Sequence, residues 1–194
     1  MHEAKRNEVL EFPTDLAASE AVTTILRFIG EDPSRDGLAD TPGRVLKAWR
    51  EMTSGYGDDP AEILARTFDE TSDEMVVLRN ISFHSTCEHH MLPFYGEVSV
   101  GYLPGKVVGI SKLARLVDCF ARRLQIQERL TRQIADSIEE HLEARGVGVI
   151  VRAHHLCMGC RGVRQQTTEM VTSSMLGTLR SDPMARAEFL RLTE

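Results

Sequence analysis

Apolar residues recur at helical spacing in four stretches of this chain. Side chains three and four positions apart lie on one face of a helix, so each stretch predicts a helix with one buried face. These faces are Val22, Ile25, Leu26 and Ile29; Val45, Ala48, Trp49 and Met52; Leu113, Leu116, Val117 and Phe120; and Leu130, Ile134, Ile138 and Leu142. Gly30, Gly55 and Gly146 are predicted to end three of them, since glycine readily adopts the left-handed conformation that follows a helix.

Helix starts are marked by polar residues and prolines. Thr41 and Ser111 are predicted N-caps, because a side-chain oxygen there can accept a hydrogen bond from a free backbone N–H. Pro42 suits a first helical turn, and Asp182 followed by Pro183 predicts a short C-terminal helix.

Stretches rich in β-branched and aromatic residues alternate with the later helices. Residues 75–82, 95–102, 147–153 and 170–175 are predicted strands, and residues 107–110 are expected to continue the sheet. Strands in hairpin order beside a pair of long helices indicate an α+β fold rather than a doubly wound sheet. We expect a flexible tail over residues 1–13, a helical segment over 14–70 and an α+β domain over 71–194.

The composition narrows the class of protein. The chain has 194 residues, of which 42% are hydrophobic and 27% charged, as in an ordinary soluble protein. A net charge of −6 gives no support for nucleic-acid binding. No apolar run is long enough to span a membrane, and the N-terminus lacks the apolar core of a signal peptide. We therefore expect a cytoplasmic protein.

Two short clusters contain most of the thiols and imidazoles. The first is CEHH at residues 87–90, and the second is HHLCMGC at residues 154–160. Thiolate and imidazole are the ligands that Zn²⁺ prefers, so the clusters predict one metal site that forms when the chain folds.

Two kinds of metal site fit the spacing. Cys87, His90, Cys157 and Cys160 would make a closed structural Cys₃His site. Alternatively, three of these residues bind the metal and leave one position open, as in hydrolytic zinc sites. In that case His89 and His155 lie beside the metal, where neutral imidazoles can move protons.

Two further groups of residues have both an ordinary and a functional interpretation. Ser111, Lys112 and Arg115 lie at a predicted helix start. This group could bind a phosphate chain, or it could be an ordinary basic patch exposed to solvent. Arg161 and Arg44 could join them in space. Gln127 and Glu128 open the next helix, where Glu128 either complements the helix dipole or accepts hydrogen bonds from a guanine edge.

Several motifs together resemble GTP cyclohydrolase I. They cover most of the chain in the family's order: DPSRDGL at 32–38, TPGRV at 41–45, STCEHH at 85–90, GISKLAR at 109–115, QERLT at 127–131, HLCM at 155–158 and RGV at 161–163. The resemblance implies a T-fold, which is an antiparallel sheet with two long helices on one face, behind an N-terminal helical segment. It also implies a homo-oligomer, a decamer, with active sites between subunits.

The same resemblance implies the reaction and its residues. GTP would be hydrolysed and rearranged to 7,8-dihydroneopterin triphosphate and formate, the entry to tetrahydrofolate or pterin synthesis. The residues that match the family's sites are Cys87, His90 and Cys157 as zinc ligands; His89, His155 and Ser111 as catalytic residues; and Gln127, Glu128, Lys112, Arg115, Arg161 and Arg44 as substrate-binding residues.

Cys160 departs from the family pattern, in which we expect a residue such as methionine that binds no metal. Two other functions compete with the enzyme. A T-fold relative such as a nitrile reductase would leave the zinc ligands and residues 88–90 unexplained. A zinc-binding protein without catalytic activity would leave the basic residues and Glu128 unexplained.

Overall fold

The computed structural model describes residues 13–70 and 72–194. Residues 1–12, which make up nearly all of the predicted tail, lie outside the described part of the chain. The chain divides into two compact units between Glu51 and Met52. The domain boundary that the sequence suggests at residue 70 stays a prediction.

The first unit contains two helices, α1 (Asp15–Phe28) and α2 (Thr41–Met52, whose last residue falls in the second unit). The Thr14 side chain caps α1 by accepting a hydrogen bond from the backbone N–H of Ala17. An ion pair between Asp15 and Arg50 joins the two helices. The prediction of Thr41 as an N-cap is wrong, because Thr41 already has helical geometry and Pro42 is the second helical residue.

The second unit contains the sheet and its flanking helices. In chain order its elements are a 3₁₀ turn (Ser54–Gly57), α3 (Pro60–Leu64), β1 (Thr67–Phe68), β2 (Val76–Cys87), β3 (Pro93–Leu103), β4 (Val107–Val108), α4 (Ile110–Ala121), β5 (Leu124–Gln125), α5 (Gln127–Leu142), β6 (Gly146–His155), α6 (Leu156–Gly159), β7 (Met170–Gly177), α7 (Thr178–Ser181) and α8 (Pro183–Leu192). These bounds confirm the predicted long helices, the four predicted strands and the C-terminal helix.

The main sheet has five strands in the order β5-β2-β3-β6-β7. Neighbouring strands are antiparallel except for a short parallel pairing between β2 and β5. The prediction that residues 107–110 continue this sheet is wrong. The chain leaves the sheet after Leu103, and β4 instead pairs with β1 in a separate two-stranded sheet.

Both long helices pack on one face of the sheet, and this packing makes the main core. Alternate residues of the two central strands, β3 and β6, face these helices, as a strand's two-residue period requires. The buried residues in this layer are Val98, Val100, Tyr102, Val147, Val149 and Val151 from the strands, and Leu113, Leu116, Leu130, Ile134 and Ile138 from the helices. This arrangement is the T-fold that the resemblance implies.

Two helix boundaries differ from the prediction. The N-cap of α4 is Gly109 rather than Ser111, because the helix already begins at Ile110 and the N–H of Lys112 bonds to the carbonyl of Gly109. Likewise α5 does not extend to Gly146. It ends at Leu142, since Glu143 takes the left-handed conformation (φ 50°, ψ 37°). Within the described residues, no helix is long and apolar enough to cross a membrane.

The opposite face of the sheet is covered at one end by α8. Gly101 and Gly148 are paired across β3 and β6, and the ring of Phe189 lies directly against both. A Cβ built on Gly148 would lie 2.7 Å from Phe189 and 2.8 Å from Leu179, closer than carbon atoms pack. These two glycines therefore allow the fully buried Phe189 to approach the backbone of the sheet.

We expect Gly148→Ala to destabilise the second unit by about 1–3 kcal/mol, because an added methyl group overpacks a filled core. Urea unfolding would measure the change. Gly57→Ala is the control, since a Cβ at Gly57 meets no atom within 4 Å. Equal stability of Gly148→Ala and the parent chain would contradict the close packing of Phe189.

Candidate metal centre and substrate site

The first cluster follows directly from the end of β2. Cys87 is the last residue of this strand and is buried. Its backbone N–H donates to the carbonyl of Leu92 (2.8 Å), and its carbonyl accepts from the N–H of Met91 (2.8 Å). These two bonds close a tight turn that presents His89 and His90 beside the Cys87 thiol.

The second cluster is brought to the same edge of the sheet by strand pairing. β3 lies between β2 and β6, so Thr86 pairs with Pro93, and Phe94 pairs with His155. The chain then turns into the single-turn helix α6, which carries Cys157. The clusters are far apart in sequence, yet the antiparallel register brings them together.

Cys87, His90 and Cys157 form a group that could hold a metal ion. Their ligand atoms all lie within 4.8 Å of one another, and Cys87 Sγ is 3.9 Å from His90 Nδ1. Tetrahedral zinc with bonds of about 2.0–2.3 Å needs ligand atoms roughly 3.5–3.8 Å apart, so small side-chain adjustments suffice. Burial and the neighbouring Cys87 thiol raise the pKa of Cys157. A cation at this position would favour the thiolate instead.

Cys160 is not part of this group. It lies three residues after Cys157, immediately beyond α6, and it is exposed. Among the described residues the candidate metal group thus contains three ligands, which is the number found in hydrolytic zinc sites.

His155 and His154 lie on opposite faces of β6. The His155 ring stacks on Phe94 with centroids 4.7 Å apart and planes 3° apart. Burial lowers the pKa of His155, whereas a backbone hydrogen bond with Ala153 and the charge of Glu128 act in the other direction. Nδ1 of His154 lies 3.2 Å from the carbonyl oxygen of Thr168. Only His155 therefore shares a face with the metal group.

His89 is the more exposed of the two sequence-predicted catalytic histidines. Its side chain is 64% exposed, and its Nδ1 lies 4.0 Å from Cys87 Sγ. It is therefore free to contact a molecule bound at the metal group.

The first turn of α5 lies next to the metal group and contains Gln127 and Glu128. Glu128 is exposed. Gln127 is almost fully buried, and its side-chain nitrogen lies within 3.1 Å of the Val151 and Met170 carbonyls and the Thr172 hydroxyl. This amide joins α5 to strands β6 and β7. Its oxygen has no hydrogen-bond partner among the described residues.

Sequence reasoning missed the ion pair between Glu88 and Arg129. The guanidinium binds both carboxylate oxygens, at 2.5 Å and 3.1 Å. This bidentate contact holds the pKa of Glu88 below its usual value. It connects the turn after β2 to the first turn of α5. The sequence did contain a signal for this pair. Glu88 is a carboxylate within the first cluster, and a partly buried carboxylate needs a cationic partner.

The basic residues of α4 are far from the metal group within this chain. Ser111, Lys112 and Arg115 lie in the first two turns of α4, which follows the far end of β3. The loop before α4 is held to the C-terminal end of α5, since Lys106 N–H bonds to the Leu142 carbonyl. The metal group lies at the other end of α4, because β5 follows this helix and pairs with Thr86 and Cys87. The 12 residues of α4 span about 18 Å.

Two further arginines of the sequence-predicted basic cluster, Arg161 and Arg44, lie outside α4. Arg161 is exposed and follows Cys160, at the metal end of the sheet. Within one chain, α4 starts at the opposite end of the sheet from Arg161, so the grouping of Arg161 with Lys112 and Arg115 stays a prediction. Arg44 belongs to the first unit, where it pairs with Asp40 at 3.1 Å.

The chain is similar to several known proteins over most of its length. It is 55% identical over 177 residues to GTP cyclohydrolase 1 of Wolinella succinogenes, a match that covers 90% of this chain and 95% of the relative. It is 54% identical over 173 residues to GTP cyclohydrolase 1 of Nitrosospira multiformis, covering 88% and 91% of the two chains. A solved archaeosine synthase QueF-Like structure is more distant, with a TM-score of 0.44, 23% identity and coverage of 55% of this chain and 97% of the other.

A sequence model of the family described as GTP cyclohydrolase I matches residues 18–194. This match includes both clusters, the start of α4 and the first turn of α5. The chain therefore belongs to the GTP cyclohydrolase I family.

Proposed function

We propose that this protein hydrolyses GTP and rearranges it to 7,8-dihydroneopterin triphosphate and formate, the first step of tetrahydrofolate or pterin synthesis. The observation that carries the proposal is the Cys87, His90 and Cys157 group with His155 on the same face of the sheet. Family membership supports the choice of reaction. The simplest test is incubation with GTP while the pterin absorbance and released formate are followed.

The proposed cofactor is one Zn²⁺ per chain. Cys87, His90 and Cys157 would hold it, because two thiolates and an imidazole at this spacing suit a tetrahedral ion with one open position. When bound, zinc supplies Lewis-acid activation of water for the hydrolytic steps. The turn that positions His90 is held by the ion pair between Glu88 and Arg129.

His155 is proposed to deliver a proton to the guanine ring. Stacking on Phe94 fixes the plane of its imidazole beside the metal group. Burial lowers its pKa, so the charged imidazolium is a stronger acid than a histidine in water. His89, which is exposed on the neighbouring turn, is the second proposed proton carrier.

Glu128 is proposed to recognise the guanine base. An ionised carboxylate can accept two hydrogen bonds from the N1–H and the amino group of guanine. Gln127 is assigned to the same subsite, where its buried amide also holds the start of α5 against β6 and β7. That support keeps the Glu128 backbone in a defined position.

The triphosphate is assigned to Lys112, Arg115, Arg161 and Arg44. Ser111, next to Lys112 in the first turn of α4, is proposed as a catalytic residue. Phosphate oxygens form strong charge-assisted hydrogen bonds with lysine and arginine. Because α4 begins at the opposite end of the sheet from the metal group, its residues would have to come from a neighbouring copy. We therefore propose a homo-oligomer, a decamer, in which Lys112 and Arg115 of one chain complete the site of another.

Exposed apolar residues on α1 support self-association. Leu16, Ile25, Phe28 and Ile29 are each more than half exposed, and Phe28 is 87% exposed. Apolar side chains concentrated on one exposed helix favour burial against another protein surface. The cytoplasmic location suggested by the sequence stays a prediction.

We expect the purified protein to contain one zinc per chain and Cys160→Ser to retain it, since the proposed ligands are Cys87, His90 and Cys157. Cys157→Ser is the matched variant and should lose the metal. Elemental analysis after gel filtration would measure both. Loss of zinc from Cys160→Ser would instead support the closed Cys₃His site and argue against a hydrolytic centre.

We expect His155→Ala to keep its zinc and to bind GTP while formate release falls by roughly 10²–10⁴-fold, because a general acid is removed without a metal ligand. His154→Ala is the control, since its ring lies on the other face of β6, and it should remain active. Metal content, GTP binding and formate release would be measured for both. Normal turnover by His155→Ala, or inactivity that follows loss of zinc, would contradict the assignment.

We expect two inactive variants to restore activity when they are co-expressed with different tags. In a site between two subunits, one chain supplies the metal half (Cys87, His90 and Cys157) and its neighbour supplies the basic half (Lys112 and Arg115). The Lys112→Ala chain keeps an intact metal half, and the Cys157→Ser chain keeps an intact basic half. If sites form between neighbours, random mixing should leave roughly a quarter of the sites complete.

The control for this experiment pairs Cys157→Ser with His155→Ala. Both changes lie in the metal half, so no combination of these chains completes a site. Failure of the Lys112→Ala and Cys157→Ser pair to exceed this control, in assemblies shown to contain both chains, would rule out a site shared between subunits.

A further inference from the structure

Cys160 is a cysteine that the proposed reaction does not use. It ends the sequence Cys157-Met158-Gly159-Cys160, and its backbone N–H bonds to the Leu156 carbonyl at 2.9 Å, which continues the turn of α6. Its backbone is helical (φ −89°, ψ −11°). In a helical turn, residues three apart have Cβ atoms about 5–6 Å apart. This spacing is within reach of a disulfide after rotation of the two side chains and a small adjustment of the turn.

The exposure of the four cysteines makes Cys160 the most accessible to an oxidant in solution. Cys160 is exposed, Cys157 is partly buried, and Cys87 and Cys119 are buried. Cys119 is fully enclosed in the core, where the Arg123 guanidinium lies 3.1 Å from its sulfur. Cys87 and Cys157 belong to the candidate metal group, whereas Cys160 remains a free thiol.

We propose that Cys157 and Cys160 form a reversible thiol-oxidation site, which takes a peroxide as its oxidant and closes to a disulfide that removes Cys157 from the metal group. The part concerning the metal rests on the proposed zinc site. The disulfide itself depends only on the positions of the two cysteines.

The chemistry balances with hydrogen peroxide as the two-electron oxidant. The Cys160 sulfur attacks one peroxide oxygen, the O–O bond breaks, and a sulfenic acid and one water are formed. The Cys157 sulfur then attacks the Cys160 sulfur, the S–S bond forms, and the hydroxyl group leaves as a second water with the remaining thiol proton. The two thiols are oxidised to one disulfide, and the peroxide is reduced to two waters.

A competing pairing exists between Cys87 and Cys157, whose sulfur atoms both belong to the metal group. Two features favour Cys160 as the partner. Its exposed thiol meets the oxidant first, and the one-turn loop between Cys157 and Cys160 keeps the two sulfurs at high effective concentration. Oxidation between Cys87 and Cys157 would need attack at a buried sulfur.

Trypsin digestion separates these pairings cleanly. Cleavage after Arg152 and Arg161 places Cys157 and Cys160 in one peptide, residues 153–161. Their disulfide would lower the mass of this single peptide by two hydrogens. A bond to Cys87 would instead join it to residues 80–106, and a bond to Cys119 to residues 116–122.

The experiment treats the full-length protein with hydrogen peroxide, blocks remaining thiols, and follows the peptide map together with zinc release to a chromogenic chelator. We expect the parent chain to form the intrapeptide disulfide, to release its zinc, and to lose the disulfide again with dithiothreitol. Cys160→Ser, whose changed residue is exposed, should show neither the disulfide nor zinc release at the same dose.

Two results would overturn the proposal. One is a disulfide between Cys87 and Cys157 as the main product in the parent chain. The other is release of zinc from Cys160→Ser at the parent rate. If the untreated protein contains no zinc, the zinc-dependent function fails, but the 153–161 peptide still tests the disulfide independently.

Discussion

The pairing of β3 with both β2 and β6 is the constraint on which the candidate site depends. Phe94 pairs with His155 across β3 and β6, so His155 faces the helix side of the sheet, where Cys87 also lies. A slip of one residue would turn His155 to the opposite face and put His154 in its place. The register is held by the buried valines of β3 and β6, far from the chemistry. Apolar packing under α4 and α5 thus selects which histidine faces the metal group.

The start of α5 links this core to the site through three consecutive residues. Successive residues on a helix point in directions about 100° apart, so the three side chains contact different surroundings. Gln127 points inward and bonds to β6 and β7, Glu128 is exposed, and Arg129 binds Glu88. A displacement of α5 would therefore disturb Glu128, the proposed guanine-binding residue, together with the turn after β2. This coupling explains how residues on separate elements can keep one geometry.

The separation of the metal group from the start of α4 is the physical basis of the proposed site between subunits. A thiol and imidazole group lies at one end of the sheet, and Lys112 and Arg115 lie at the other. No side-chain motion spans the length of α4. With the triphosphate held by Lys112 and Arg115, as proposed, the requirement for a second copy follows from topology. In the proposed oxidation, Cys157 binds either the metal or Cys160 but not both, so the exposed Cys160 thiol couples metal binding to the oxidant.

The sequence by itself was sufficient for the α+β class, the long helices, the strands and the two metal-ligand clusters. These features depend on local periodicity and on residue chemistry, both of which are visible along the chain. Helix ends were less predictable, as Gly109 and Glu143 illustrate, because contacts with neighbouring elements decide where a helix begins and ends.

Only the tertiary structure decided which side chains meet. It brought Cys87 to Cys157, stacked His155 on Phe94, and joined Glu88 to Arg129. It also separated the α4 cations from the metal group, although their motifs suggested one cluster. Sequence spacing carries no information on the distance between residues that are far apart in the chain. That distance depends on strand order and register, which the packing of the whole core determines.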